Sequence, residues 1–129
     1  MRRNVWLLVV VVLLAVTVAL PSASARDDEV RREGTCDLGS QWRLIARRES
    51  ATTLRVRYIL DTDHAGQAWS IFLSLNGVRL FAGQRTTTSE GTIRVTRYPA
   101  DRAGDELIKG SGNNLVTGES CNGSLTYRL

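Results

Sequence analysis

From Gln41 onward, apolar side chains recur at every second position. Trp42, Leu44 and Ala46 alternate with Gln41, Arg43 and Ile45, and Leu54, Val56, Tyr58 and Leu60 alternate with Arg55, Arg57 and Ile59. A strand turns successive side chains to opposite faces, so each run predicts a strand with one buried face. Trp69, Ile71, Leu73 and Leu75 continue the pattern, Asn76-Gly77 follows, and Val78, Leu80 and Ala82 resume it. Asn-Gly supplies the two positive-φ residues of a type I′ turn and therefore predicts a hairpin. In its register Leu75 opposes Val78, Leu73 opposes Leu80 and Ile71 opposes Ala82 on the buried face, while Phe72 opposes Phe81 on the other. Ile93 and Val95 mark a strand after the polar loop 86–91, and 107–112 and 121–127 are the last two, joined through Asn113-Asn114 and Thr117-Gly118. Seven short strands separated by Gly, Asn and Asp turns, with no helical period, predict an all-β fold, an antiparallel seven-stranded sandwich.

The first 25 residues follow another pattern. Arg2 and Arg3 precede an almost unbroken apolar run from Val5 to Leu20, and Ala23-Ser24-Ala25 offers the small residues that a signal peptidase accepts. The run is short for a bilayer core of about 30 Å, which takes ~20 residues. It reads as a signal helix cleaved before Arg26, giving a secreted protein, extracellular or in the cell envelope, without stable membrane insertion. Residues 26–34, Arg-Asp-Asp-Glu-Val-Arg-Arg-Glu-Gly, offer almost nothing to bury and read as a flexible charged arm. The remainder, 35–129, suits one domain.

Charge narrows the partners. The 129 residues carry 17 basic and 13 acidic side chains, and two of the arginines with no acid belong to 1–25. All basic residues except Lys109 are arginine, which reads mainly as coding bias of a GC-rich genome. Acids are interspersed among them, and no nucleic-acid-binding motif is present, so nucleic acid is not an expected partner.

Cys36 and Cys121 form an even pair in an exported chain, which predicts a disulfide. Neither belongs to a Cys-x-x-Cys motif, and the only histidine, His64, is remote from both in sequence. No catalytic residue, metal or cofactor is expected. Gly-x-Ser-x-Gly, Ser-x-x-Lys and His-Glu-x-x-His are absent, and Asp61, Glu90, Asp101 and Asp105 are scattered acids with no spacing that specifies a glycosidase pair. Asp61, Asp63 and Gly66 match the first, third and sixth positions of an EF-hand loop, but Ala65 lacks the next oxygen and Phe72 stands where the bidentate Glu belongs. A turn using Asp side chains and a positive-φ Gly accounts for this segment without a metal.

Phe72 and Phe81 are expected to face each other on the non-core side of the hairpin, with Arg55, Arg57 and Arg94 in the same outward phase. Aromatic and guanidinium groups are the usual anchors of recognition surfaces, and aromatic rings also form platforms for sugars. These five residues are the candidate binding patch of a non-catalytic binding or interaction module for an extracellular or cell-envelope protein or glycan. The second reading is a small secreted hydrolase or hydrolase inhibitor, with 86–91 or 99–104 as the inhibitory loop.

Asp105-Glu106-Leu107 leading into the penultimate strand, and the Asn-rich turn before the last one, resemble the end of an immunoglobulin-type or fibronectin type III-type domain. Leu107 stands where such domains carry a corner tyrosine, and the cysteines lie at the terminal strands. Gln67-Ala68-Trp69, Asn76-Gly77, Arg85-Thr86-Thr87, Asp105 and Asn114-Leu115-Val116-Thr117-Gly118-Glu119-Ser120-Cys121 resemble small exported actinobacterial proteins of unknown function. That likeness implies an exported immunoglobulin-like sandwich and brings no activity with it.

Overall fold

The computed structural model describes residues 28–128; the expected signal at 1–25 lies outside the described residues. Eight strands follow one another: β1 (Glu29–Thr35), β2 (Gln41–Ser50), β3 (Thr53–Asp61), β4 (Ala68–Leu75), β5 (Val78–Thr86), β6 (Thr92–Arg97), β7 (Glu106–Asn114) and β8 (Ser120–Tyr127). They form two antiparallel four-stranded sheets, sheet I in the order β1-β2-β3-β6 and sheet II in the order β5-β4-β7-β8. All seven expected strands are present. Among the described residues no helix is long and apolar enough to cross a membrane.

The eighth strand, β1, occupies most of the segment read as a flexible arm. It pairs with β2 along its whole length, from Glu29 opposite Arg47 to Thr35 opposite Gln41. Composition misled here because an edge strand takes its hydrogen bonds from a neighbour and needs little apolar surface of its own. Val30 is the side chain that β1 packs against the core, while Glu29, Arg31 and Glu33 point outward with Arg47, Ile45 and Arg43.

Between the sheets, Leu44, Ala46, Leu54, Val56, Tyr58 and Leu60 face Trp69, Ile71, Leu73, Ile108, Leu125 and Tyr127. The Tyr58 hydroxyl donates to the carbonyl of Cys121 at 3.0 Å, which satisfies a polar group in the core. Burial pushes the Tyr58 phenol well above its ordinary value, so it stays protonated. Cys36 and Cys121 are bonded, closing 85 residues of chain.

The hairpin corrects one part of the expected register. Asn76 and Gly77 both have positive φ, at 49° and 80°, and Leu75 opposes Val78 as expected. Beyond them Ser74 opposes Arg79, and then Leu73 opposes Phe81, Phe72 opposes Ala82 and Ile71 opposes Gly83. One extra residue, Leu80, is accommodated in β5 as a bulge. The bulge lets Leu80 and Phe81 both pack against the core, where strict alternation would bury only one.

Candidate functional site

The bulge dismantles the expected five-residue patch. Phe81 does not oppose Phe72: it closes the core between β5 and β6, with the guanidinium carbons of Arg85 and Arg97 each 4.8 Å from its ring centroid. Phe72 remains outward, on sheet II, and is 42% exposed. Arg55, Arg57 and Arg94 also point outward, but from β3 and β6 of sheet I, on the opposite side of the sandwich. The candidate residues therefore fall into three places.

Phe72 borders a groove of about 510 Å³ on the outer face of sheet II, lined also by Trp42, Ser74, Lys109, Gly110, Ser111, Asn122, Gly123 and Ser124. Two register rows build it. Phe72, Ser111 and Asn122 lie side by side across β4, β7 and β8, and Ser74, Lys109 and Ser124 form the adjacent row. Between these rows Gly110 opposes Gly123. A Cβ on Gly110 would sit 2.7 Å from the Tyr58 ring, and a Cβ on Gly123 would collide with the six-membered ring of Trp42. The missing side chains let Tyr58 and Trp42 of sheet I pack directly against the sheet at this point, and Trp42 is among the residues lining the groove.

Among the described residues, no hydrogen bond engages the side chains of Ser111, Asn122, Ser124 or Lys109, whereas farther along the same face the Ser120 hydroxyl donates to Asn113 at 2.8 Å. The groove thus presents two aromatic surfaces beside uncommitted hydroxyl, amide and ammonium groups. Sequence periodicity placed Phe72 correctly and read Trp42 as core. It missed the serines, Asn122 and the glycine pair, because their grouping exists only once β7 and β8 are in register.

At the disulfide end, four loops are tied together. The Glu119 carboxylate accepts from the Ser40 hydroxyl and from the backbone N–H groups of Ser40 at 2.9 Å and Leu38 at 3.1 Å. Thr87 donates its hydroxyl to the carbonyl of His64 at 2.6 Å, and Thr62 donates to that of Gly91 at 2.9 Å. Ser40, His64 and Glu119 line one small pocket, but the Ser40 hydroxyl is given to Glu119, and among the described residues no hydrogen bond reaches the His64 imidazole. The 86–91 segment is anchored at both ends, since Thr87 and Gly91 are buried.

Among the four scattered acids, Asp101 and Asp105 share a pocket with Arg48, Arg102 and Tyr127, while Asp61 and Glu90 lie elsewhere. Asp61 accepts from Arg43 at 3.2 Å and from Thr92 at 3.1 Å. No group of three or more His, Cys, Asp and Glu converges among the described residues. Asp101 pairs with Arg48 at 3.5 Å. Beneath this pocket Glu106 is 1% exposed, and its Oε1 accepts from the backbone N–H of Arg102 at 3.1 Å, tethering the β6–β7 loop. Burial, reinforced by the charge of Asp101, raises the Glu106 carboxyl above its ordinary value, with the Arg102 N–H acting in the opposite sense.

Comparison of the chain with protein-family models, with curated proteins and with solved structures finds no match in any of the three.

Proposed function

We propose that this protein is an exported, non-catalytic binding module that holds a segment of a cell-envelope or extracellular glycan in the groove beside Phe72. The observation that carries the reading is the groove's construction: Phe72 and Trp42, the latter packed against Gly123 where Gly110 and Gly123 pair, line it together with polar side chains that form no hydrogen bond among the described residues. A concave site with apolar walls and a few convergent polar groups is the general form of a small-ligand site. Sugars match its chemistry. Their C–H faces lie against aromatic rings, and their hydroxyls both donate and accept, as do Ser hydroxyls and the Asn amide. The disulfide and the amino-terminal signal pattern support export. With β1 set aside, the order β2-β3-β6 facing β5-β4-β7-β8 follows the A-B-E facing C′-C-F-G order of fibronectin type III domains, which supports that kinship.

Affinity electrophoresis through gels containing soluble glucans, mannans, arabinans and galactans tests the reading. At least one polymer retards the protein, and Phe72→Thr and Asn122→Ala each abolish the retardation without altering the melting temperature of the free protein. Migration unaffected by every polymer, or retardation that survives both substitutions, overturns it.

A further inference from the structure

Sheet I carries on its outer face a charge distribution that the fold does not use. Arg31, Arg43, Arg47, Arg55, Arg57 and Arg94 occupy outward positions on its four strands, against Glu29, Glu33 and Asp61, with Glu49 in the irregularity at the end of β2. Glu29 is paired with Arg31 at 3.1 Å and Asp61 with Arg43 at 3.2 Å. Among the described residues, Arg47, Arg55, Arg57 and Arg94 form no ion pair. Arg47 and Arg55 are direct register partners, an arrangement that destabilises a sheet when the charges are alike. The acids on this face offset only part of its charge, and the pairs of Glu29 with Arg31 and Asp61 with Arg43 leave Arg47, Arg55, Arg57 and Arg94 as its positive centre.

Two outward isoleucines show how the guanidinium groups are held. Ile45 and Ile59 have outward phase yet are only 8% and 4% exposed. Their register and chain neighbours are Arg31, Arg43, Arg47, Arg57 and Arg94, with Asp61, so the aliphatic stems of arginines cover them. Stems lying across the sheet keep their charged heads close to its plane. One head is incompletely satisfied even there, since Nε of Arg57 is buried without a partner.

We propose that the outer face of sheet I binds an extended anionic polysaccharide, whose sulfate, phosphate or carboxylate groups pair with Arg47, Arg55, Arg57 and Arg94. Guanidinium forks recognise such groups in bidentate geometry. The charges are spread over strands ~4.8 Å apart rather than gathered in a pocket, which fits repeated charges along a polymer better than one small anion. Nucleic acid fits less well. Among the described residues a single aromatic side chain, the exposed Tyr98 that follows β6 beside Arg55, adjoins this face, too few for successive bases to stack, and no helix is present to enter a duplex groove.

Heparin serves as the probe, with binding to the whole protein measured by calorimetry over a salt series. Arg47→Gln/Arg55→Gln/Arg94→Gln is expected to weaken heparin binding by about tenfold or more and to flatten its salt dependence. A control triple variant of equal charge loss, Arg32→Gln/Arg79→Gln/Arg102→Gln, retains most of the affinity. The face variant melts no lower than the parent, because substituting Arg47 and Arg55 removes a like-charge contact. Phe72→Thr leaves heparin binding unchanged, which separates this site from the groove. Absence of heparin binding, equal losses in the two triple variants, or equally tight binding of a duplex oligonucleotide overturns the proposal.

Discussion

Phe72 and Phe81 are nine positions apart in one hairpin, and the bulge at Leu80 gives them opposite roles. Phe81→Thr removes the ring that Arg85 and Arg97 flank and exposes the core edge, which should cost about 1–3 kcal/mol in denaturant melts. Phe72→Thr stays within about 0.5 kcal/mol of the parent, as expected of a surface substitution away from special features. Equal costs would place both rings on the same side. The sequence could not show this difference, because a one-residue bulge preserves the alternation on either side of it while shifting which residues oppose. Glu106 gives a second residue-scale prediction. Its folded carboxyl titrates above the ordinary value of 4.5, so the fold favours the protonated form. That contribution is complete below the unfolded value and is lost as pH rises through the higher folded one. Glu106→Gln should therefore raise the melting temperature at pH 7, and the advantage should shrink towards pH 4; a pH-independent difference would show that titration is not its source.

Strands with one buried face were legible as alternation, and the Asn76-Gly77 turn was legible from backbone requirements alone. β1 was not, since Arg31, Arg32, Glu33 and Gly34 read as solvated chain until β2 supplies a hydrogen-bonding edge. Hydrogen exchange distinguishes a strand from an arm. Alternate amides of β1 should be protected together with those of β2, whereas exchange at unfolded rates through Glu29–Thr35 would refute the pairing. The candidate site was half legible for a related reason. Phe72 sits on the face its phase implies, but a groove made by Gly110 opposite Gly123 depends on register between two strands and on Trp42 arriving from the other sheet. Gly123→Ala should cost about 1–3 kcal/mol by overpacking against Trp42, and it should weaken any ligand that depends on that ring.

Across the whole molecule, the disulfide joins the turn after β1 to β8, so it ties the edge of sheet I to the edge of sheet II. On the chain-entropy account, closing a loop of this length contributes about 4–5 kcal/mol, a large share of what a domain of this size has. Cys36→Ser/Cys121→Ser should consequently lower stability by about that amount in denaturant titrations, and an unchanged midpoint would contradict it. The sandwich held together in this way offers two outer faces of different chemistry, polar with aromatic flanks on sheet II and arginine-rich on sheet I. The central claim is that the sheet II face is the glycan site. Backbone and indole NMR shifts, followed as the retarding polysaccharide is added, test it most directly. The account predicts perturbations centred on Phe72, Ser111, Asn122 and Ser124 with the Trp42 indole; shifts confined to the loops around Ser40 and His64, or to the pocket above Glu106, would contradict it.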